Sequence, residues 1–386
     1  MGKGIGGLAV AFRLVRRRIP CRIIHSPLSV AATRCSGGIM ASKGIVDPRT
    51  DLFRAKLDGA KNFPNWLREI EAESGQKIIH GTTGVFEPFF SEEDRDSIAS
   101  RVYRDRSFRE FGTELLGPEL RGFPFASLRV NMTNHRHPDA GRHPERSEGS
   151  HSIFDKNPTG FFFYPADSWY DPASVVEALE KTLIRNGVPI IEQKIEKITS
   201  RDGGFVLQGN GEELHVKDLV LAAGDGIKDI RFDFETSLPK MVSVYGETLV
   251  LEKKMMQELP LVKGKFSLLA LRERTIFSGS SFNDTRWIAS NHENKQHLLD
   301  KLRQSFGMDP ALAAARIVQG TRIRTRDRQP VVGRVKTNVA EARLFVLTGL
   351  YKSGFQLADD CARQLCSMII EESRLPYPFD VGRYYS

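Results

Sequence analysis

The stretch GKGIGGLA at residues 2–9 decides the expected fold of this chain of 386 residues. Its glycines fit the pattern GxGxxG, and apolar residues at helical spacing continue from it toward Pro20. A short apolar run at residues 21–24 then predicts a strand. Glycines at these places permit a tight turn and let backbone amides at a helix N-terminus approach a pyrophosphate. The stretch therefore predicts a dinucleotide site, with an ordinary glycine-rich turn as the alternative.

Two departures from the usual dinucleotide site bear on this prediction. The sequence begins at Met1, without the strand that normally precedes the first glycine, so we expect the sheet to lack its central strand. This leaves a misplaced start or a damaged cofactor domain open as explanations. His25 stands at the end of the next strand, where an acid usually binds a ribose hydroxyl. A neutral imidazole can form a hydrogen bond there, although a weaker one than a carboxylate forms.

Length and composition bound the class of protein. At roughly 150 residues per domain, the chain has room for two or three domains around a large core. Hydrophobic residues make up 40% and charged residues 27%, close to the averages of globular chains, which excludes a disordered or collagen-like chain. No apolar run approaches the ~18 residues of a membrane-spanning helix, and the start lacks the layout of a secretory signal. We therefore expect a cytoplasmic protein with no membrane partner.

Charge and cysteine content narrow the possible partners. Lys and Arg outnumber Asp and Glu by 56 to 48, and the resulting net charge of +8 would help a polyanion approach without showing that one binds. The four cysteines are too few for a disulfide scaffold and lack the CxxC spacing of a zinc or redox site. They are Cys21, Cys35, Cys361 and Cys366. We interpret them as small apolar residues that stay reduced, and we expect no metal.

Turn, helix and strand signals organise the rest of the chain. Small residues with one arginine at 31–40 suit a loop against a flat ring or a diphosphate, and an ordinary loop is the alternative. Asp171 and Pro172 predict the start of a helix that ends near residue 186. Further helices are expected at about 50–73, 292–306 and 355–372, and strands at 160–165, 190–198, 205–208, 214–223 and 344–348, with meandering strands over 242–282. The run that ends at Gly224 is typical of a buried parallel strand.

Residues 131–151 form a polar stretch without apolar periodicity, which predicts a disordered insertion. A metal site on its histidines is disfavoured, because no acid or cysteine stands at ligand spacing and a disordered loop holds no ligands in place. These histidines are His135, His137, His143 and His151.

Basic residues near the C-terminus suggest an anion-binding site. In an extended stretch, the arginines at positions 322, 324, 326 and 328 would share one face. Unpaired buried charges are costly, so we expect at least one of them to meet a substrate carboxylate in a fork, with a solvated edge strand as the alternative. The turn at 349–355 precedes a helix, so its amides and Lys352 could face an electron-rich ring or an anion.

In this order along nearly the whole chain, these motifs resemble the FAD-dependent amine and amino-acid oxidases of the glycine oxidase and D-amino-acid oxidase superfamily. Four segments are also similar to the oxidoreductase half of the bifunctional tRNA wobble-uridine modification enzymes of the MnmC type. They are FYP at 163–165 with Trp169, VSVYG at 242–246, GSSF at 279–282 with Asn294, and TRDRQPVVG at 325–333. The last segment is the most specific, because the Thr-Arg-Asp run is typical of that subgroup.

The resemblance implies an α/β fold, with a doubly wound, Rossmann-like FAD-binding domain and an inserted antiparallel-sheet substrate domain. It implies FAD-binding segments at 1–62, 170–236 and 320–386, and substrate segments at 63–169 and 237–319. It also implies site residues. Arg322, which matches the family's carboxylate-binding arginine, is the first catalytic candidate, with Lys352 and Tyr245 beside it. The implied cofactor-binding residues are Gly2, Gly4, Gly7, His25, Thr33, Arg34, Ile195, Gly224, Gly349, Lys352, Gly354 and Phe355.

The resemblance further implies the reaction and its partners. A carbon–nitrogen bond is oxidised by hydride transfer to FAD, the imine is hydrolysed, and molecular oxygen reoxidises the cofactor. The substrate implied by the subgroup is carboxymethylaminomethyl-uridine in tRNA, which would lose glyoxylate. Candidate RNA-docking arginines are those at 13, 16, 17, 18, 22, 101, 104 and 106, although such charge runs are often solvated helix ends. A free glycine or D-amino-acid oxidase and a non-catalytic remnant of the fold remain the alternatives.

Overall fold

The computed structural model describes residues 1–27, 31–41, 50–82, 84–104, 114–116, 158–252, 258–279, 291–308, 315–371 and 377–385. The predicted insertion at 131–151, with its four histidines, lies outside these residues. The helices are α1 (Ile5–Arg16), α2 (Asp51–Ser74), α3 (Glu92–Arg104), α4 (Pro172–Arg185), α5 (Asn291–Phe306) and α6 (Gly354–Glu371). The strands are β1 (Ile23–His25), β2 (Ile39–Met40), β3 (His80–Gly81), β4 (Val85–Phe89), β5 (Glu114–Leu116), β6 (Gly160–Tyr164), β7 (Ser168–Tyr170), β8 (Ile190–Glu192), β9 (Ile195–Arg201), β10 (Gly204–Gly209), β11 (Leu214–Val216), β12 (Asp218–Leu221), β13 (Arg231–Phe232), β14 (Val242–Leu251), β15 (Leu259–Lys263), β16 (Phe266–Ala270), β17 (Thr275–Ser278), β18 (Ala315–Arg324), β19 (Val331–Val335) and β20 (Arg343–Thr348).

Local signals set the ends of the helices. Thr50 caps α2, its hydroxyl accepting a hydrogen bond from the amide of Phe53 at 3.3 Å. Asp171 caps α4, and Pro172 occupies the first turn, where its missing N–H leaves no hydrogen bond unmade. Helix α1 ends at Arg16, and Arg18 then adopts a left-handed φ of 57° ahead of Pro20. The predicted long helix, the Asp171-capped helix and the glycine-led helix are therefore confirmed.

The parallel strands lie in two separate small sheets. Strand β1 pairs in parallel with β8, and β12 pairs in parallel with β20, which is also antiparallel to β19. Residues 1–2 lie between the two sheets. The Met1 ammonium donates to the carbonyl of Val220 at 2.6 Å, the amide of Ala222 donates to the Met1 carbonyl at 2.8 Å, and the amide of Gly2 donates to the carbonyl of Ile24 at 2.8 Å. Hydrogen bonds of Met1 and Gly2 thus link β12 to β1, which lie in separate sheets among the described residues.

The largest sheet has eight strands in the order β18-β14-β17-β16-β15-β4-β6-β5. Its pairs are antiparallel except for β15 with β4, so the antiparallel meander predicted over 242–282 is confirmed for the described part of that range. Helix α5 packs its buried leucines against this sheet. A second core joins α1, α2, α4 and α6. The α/β class is confirmed. The division into five segments stays a prediction, and its first boundary, at 62/63, falls inside α2.

Candidate functional site

The glycine-rich turn at the start of the chain folds back on itself. Gly2 has a φ of +111°, and a Cβ there would lie 2.3 Å from the carbonyl oxygen of Ala222. A Cβ on Gly7 would lie 2.0 Å from the carbonyl oxygen of Gly2. Both distances are far shorter than any real Cβ contact, so only glycine fits at either position. This close approach of backbone to backbone is what the GxGxxG spacing predicts.

The N-terminus of α1 is shaped for an anion. Gly4 is its cap residue and provides no side-chain hydrogen bond, and the first turn contains no acidic residue. The amide of Ile5 donates to the Thr33 hydroxyl at 2.9 Å. Thr33 therefore closes one side of the turn, and a Cβ on Gly4 would lie 3.3 Å from that hydroxyl. Backbone amides and the helix dipole at such an N-terminus favour a pyrophosphate.

His25 lies at the carboxyl end of β1, where the sequence analysis predicts a contact with a ribose. Its side chain is 10% exposed, and its Nε2 is a buried nitrogen that makes no hydrogen bond within the described part of the chain. The parallel register places Glu192 of β8 beside it, with a carboxylate oxygen 3.7 Å from Nε2. The carboxylate absent from position 25 is thus present on the neighbouring strand. The sequence analysis missed Glu192, because its position depends on the β1–β8 pairing.

Three other candidates for the cofactor site differ in what they expose. Gly224 follows β12 with a φ of +56°, and a Cβ there would contact nothing within 4 Å, so open space adjoins it. The Ile195 side chain is buried in the core with Ile24 and Leu221, so only its backbone could face a ligand. Arg34 is exposed in the 3₁₀ helix Ala32–Cys35.

The short helix that carries Thr33 and Arg34 is fixed against the large sheet. Cys35 donates its thiol toward the carbonyl of Val318 at 3.1 Å, and a Cβ on Gly320 would lie 2.6 Å from the Cys35 Cβ. Burial raises the pKa of the Cys35 thiol to about 11, so it stays protonated and packs as a small residue. The contact brings the 3₁₀ helix Ala32–Cys35 next to β18, which carries Arg322.

Arg322 lies where the large sheet meets the residue-350 turn. Its Nη2 donates to the carbonyl of Tyr245 at 3.4 Å, and its guanidinium lies 5.8 Å from the centre of the Tyr351 ring. Burial is the main cause that lowers the pKa of Arg322, although an arginine remains charged. In the β14–β18 register, Arg322 is opposite Val244. Strand alternation therefore directs the Tyr245 side chain to the other face of the sheet, whereas the Arg322 guanidinium faces the Tyr351 ring.

The turn before α6 brings two helix N-termini together. Gly349 has a φ of +71° and Tyr351 a φ of 50°, so the chain reverses sharply after β20. A Cβ on Gly354 would lie 3.2 Å from the Ile5 side chain, at the start of α1. The structure therefore places the predicted loop Gly349–Gly354 against the glycine-rich turn, 350 residues away in sequence. Phe355 is buried, with its ring 4.7 Å from that of Tyr170.

Lys352 adds positive charge to this turn. Its ammonium lies 5.7 Å from the Tyr351 ring centre and is partly buried, although the residue as a whole is exposed. Burial of the ammonium is the first cause that lowers the pKa of Lys352, followed by the positive charges of Arg322, Arg328 and Lys265. Lysine and arginine charges thus converge on one region, which favours a negatively charged ligand.

The expectation that four arginines share one face is wrong. Only Arg322 and Arg324 belong to β18, because a turn begins at Thr325. The Thr325 hydroxyl donates to Asp327 Oδ1 at 2.6 Å, the amide of Gln329 donates to the same oxygen at 3.1 Å, and Arg328 adopts a φ of 59°. Arg326 and Arg328 are therefore exposed turn residues.

Asp327 also ties this turn to the C-terminal segment. The Tyr384 hydroxyl donates to Asp327 at 2.9 Å, and Arg383 lies 3.2 Å away. Although burial raises the pKa of Asp327, the hydrogen bonds from Thr325, Gln329 and Tyr384 lower it overall. A Cβ on Gly349 would lie 3.6 Å from the Thr325 methyl group, so the turn supports the loop before α6. The Thr-Arg-Asp run is thus a structural element beside the site.

Several of the arginines predicted to dock RNA are held by ion pairs. Arg13 is buried and lies 2.5 Å from both Asp359 and Glu69, and Arg16 lies 2.7 Å from Glu69. Arg101 is paired with the buried Glu87. The Arg17 guanidinium is exposed but lies 3.5 Å from Glu371, while Arg18 and Arg22 are exposed. Residue 106 and the side chain at 104 lie outside the described residues. The proposed RNA surface is therefore wrong at Arg13, which cannot reach a phosphate.

The described residues contain neither a membrane-spanning helix nor a cluster of metal ligands. Within that part of the chain, no helix is long and apolar enough to cross a membrane. No group of three or more histidine, cysteine or acidic residues is arranged to hold a metal ion in the same ranges.

Known proteins share this arrangement. The family model described as FAD dependent oxidoreductase matches residues 1–368. A glycine oxidase from Geobacillus kaustophilus superposes with a TM-score of 0.70 and 17% identity, covering 99% of this chain and 96% of that chain. An iminodiacetate oxidase from Chelativorans sp. BNC1 superposes with a TM-score of 0.73 and 16% identity, covering 99% of this chain and 97% of that chain. An L-α-glycerophosphate oxidase from Mycoplasma pneumoniae with FAD bound superposes with a TM-score of 0.66 and 14% identity, covering 98% of this chain and 95% of that chain. Comparison with curated protein sequences gives no significant match.

Proposed function

Because this chain belongs to the FAD-dependent oxidoreductase family, we propose that it oxidises the carbon–nitrogen bond of an amine that carries a carboxylate. The expected cofactor and the expected FAD-binding fold with a substrate domain are confirmed by that membership. The observation that carries the proposal is the position of Arg322, on the edge of the large sheet and beside Tyr351 and Lys352. The names of the glycine oxidase and iminodiacetate oxidase, which share the fold, also support a substrate of this class.

The residues present fit FAD. The glycine turn and the uncapped N-terminus of α1 would hold the pyrophosphate, with Thr33 and Arg34 at its side. His25, whose Nε2 is buried without a hydrogen bond in the described chain, would bind the ribose together with Glu192. The Gly349–Gly354 turn and Lys352 would lie at the edge of the flavin ring. When bound, FAD accepts a hydride from the substrate, which supplies the redox chemistry.

Arg322 would bind the substrate carboxylate and orient the carbon next to nitrogen. A guanidinium can hold a carboxylate through two parallel hydrogen bonds, which fixes direction as well as distance. Orientation of this kind is a main source of rate enhancement. When that carbon loses a hydride and the nitrogen loses its proton, an imine remains, and water splits it into an oxo acid and an amine. An N-carboxymethyl amine would give glyoxylate and the shortened amine, with molecular oxygen as the final electron acceptor.

The finer substrate assignment is carboxymethylaminomethyl-uridine in tRNA, which contains this N-carboxymethyl amine. The similarity of the segments at 163–169, 242–246, 279–282 and 325–333 to the tRNA-modifying subgroup supports it. The ion pairs of Arg13, Arg16 and Arg101 count against an RNA surface built on those residues. Free glycine and D-amino acids are the alternative substrates, because Arg322 would bind their carboxylates in the same way.

The test compares these substrates on one purified protein. Glyoxylate and hydrogen peroxide release are measured with tRNA bearing the modified uridine, with the same tRNA unmodified, and with glycine, sarcosine and D-alanine. Turnover confined to the modified tRNA would establish the finer assignment, and turnover of free amines would establish the alternative. A protein that purifies without flavin and cannot be loaded with FAD would contradict the proposed function and support a non-catalytic remnant.

We expect Arg322→Ala to retain FAD and to lose roughly 100-fold in kcat/KM for carboxylate-bearing amines, because hydrogen bonds to charged groups contribute about 1.5–3 kcal/mol. Arg326→Ala is the matched control, since Arg326 is an exposed turn residue. Steady-state peroxide release measures both variants. Equal activity of Arg322→Ala and the control would mean that Arg322 does not hold the substrate.

A further inference from the structure

Two basic residues of the described chain are buried, and they differ in how their charge is balanced. Arg13 is paired with Asp359 and Glu69. Lys56, on the buried face of α2, is only 4% exposed. Its ammonium has neither an ion pair nor a hydrogen bond to any described residue. A buried charge without a partner costs several kcal/mol, so its presence needs a physical reason.

Lys56 lies against the first turn of α6. The Gln356 side-chain amide donates to the Lys56 carbonyl at 2.7 Å. One turn further along α2, a Cβ on Gly59 would lie 2.0 Å from the Gln356 carbonyl oxygen, so the two helices touch. Lys352 precedes α6 by two residues. The first turn of α6 contains no acidic residue, and its N-terminus carries the positive end of the helix dipole. Three sources of positive charge therefore converge here.

The charge of Lys56 persists near neutral pH. Burial is the main cause that lowers the pKa of Lys56 to about 8, and the charge of Lys352 lowers it further. An ammonium with this pKa is mostly protonated at pH 7. Within the described chain, Lys56 and Lys352 thus repel each other, with no carboxylate between them. A bound anion would relieve both charges.

We infer that Lys56 binds a negative charge of a ligand at the start of α6, in a subsite separate from Arg322. The inference rests on the proposed function, which places FAD and a carboxylate-bearing amine in this region. The ligand chemistry is an anionic or electron-rich oxygen. This oxygen belongs either to a second acidic group on the substrate or to the oxygen-bearing edge of the flavin ring. A substrate source would make this enzyme selective for amines with two acidic groups.

The test uses the FAD-loaded protein with Lys56→Met, Lys56→Arg and Lys61→Met. Lys61 is an exposed lysine of the same helix, so Lys61→Met removes one charge from α2 without touching the subsite. Isothermal titration calorimetry measures dissociation constants for dicarboxylates of three to six carbons and for monocarboxylates of matched length. A second arm measures the midpoint potential of the flavin without added ligand.

If Lys56 binds a second acidic group of the substrate, we expect the wild type to bind its preferred dicarboxylate at least tenfold more tightly than the matched monocarboxylate. Lys56→Met would abolish this preference, and Lys56→Arg and Lys61→Met would keep it. If Lys56 binds the oxygen-bearing edge of the flavin ring, Lys56→Met would be the one variant of the three that lowers the midpoint potential of the flavin, because the reduced ring would lose a stabilising charge. Lys56→Gln replaces Lys56→Met in both arms if the methionine variant does not fold.

The inference is overturned if Lys56→Met matches Lys61→Met in both arms. Both readouts are independent of turnover, so they separate this inference from the proposed function. A protein that shows the dicarboxylate preference but oxidises no amine would retain the subsite and refute the proposed reaction.

Discussion

At the scale of single residues, the candidate site contains groups that are costly to bury when no ligand is bound. Lys56 carries a charge that nothing in the described chain balances. His25 presents a buried ring nitrogen that makes no hydrogen bond there. Both features would destabilise a protein that bound nothing at these places. They are the kind of local conflict between folding and function that marks a binding site.

We expect Lys56→Met to raise the free energy of unfolding at pH 7 when wild type and variant are compared without FAD or other ligand. The pKa of Lys56 is about 8 in the folded chain, below the ordinary value of 10.5. The unfolded chain therefore binds more protons between these values, and wild-type stability should increase as the pH rises from 8 toward 10.5. The difference in pKa corresponds to about 3 kcal/mol of destabilisation at pH 7, which the variant should lack. Urea unfolding at pH 7 and pH 10 measures it. A variant no more stable than wild type at pH 7 would contradict an uncompensated charge.

At the scale of elements, the site is assembled from turns that join distant segments. The glycine turn before α1 and the turn before α6 meet through Ile5 and Gly354. The Thr325–Asp327 turn supports Gly349 from the other side. Each turn relies on a residue that no other type can replace without strain or lost hydrogen bonds. Substitutions in the turns should therefore affect ligand binding more than overall folding.

Gly7→Ala should reduce the FAD content of the purified protein to a small fraction of wild type. Its Cβ would lie 2.0 Å from the Gly2 carbonyl oxygen, so the turn that would hold the pyrophosphate must open. Gly226→Ala is the control, because its Cβ would meet only the Ala223 Cβ, at 3.9 Å. The ratio of flavin to protein absorbance measures the effect. Full occupancy in Gly7→Ala would show that this turn does not bind the cofactor.

Asp171→Ala should destabilise the fold by roughly 3 kcal/mol, the effect of breaking a buried ion pair. Asp171 caps α4, and both of its carboxylate oxygens lie 2.7 Å from the Arg274 guanidinium, which follows β16. The residue thus links a helix of the α1–α2–α4–α6 core to the large sheet. Urea denaturation measures the loss, with Asp58→Ala on the exposed side of α2 as the control. A loss no larger than that of the control would mean that this link adds no stability.

At the scale of the whole molecule, the sequence predicted those structural features that depend only on residues close together in the chain. Capped helices such as the one that begins after Asp171 need only neighbouring residues, and their bounds agree with the structure. The end of β18 was missed although the hydrogen bonds from Thr325 and Gln329 to Asp327 are local; only the added hydrogen bond from Tyr384 spans 57 residues. The pairing of His25 with Glu192 and the burial of Lys56 against Gln356 depend on contacts between distant segments. Arg322 was predicted as a site residue from its motif and stays a prediction, whereas its contact with Tyr351 and the burial of Lys56 required the fold.

The most direct test of the account is a spectral titration of the FAD-loaded protein with a carboxylate that cannot be oxidised, such as methoxyacetate. We expect a saturable change in flavin absorbance for wild type and for Arg326→Ala, because Arg322 would hold the carboxylate beside the ring. Arg322→Ala should keep its flavin and show no change at the same concentrations. An undiminished response in Arg322→Ala would contradict the account.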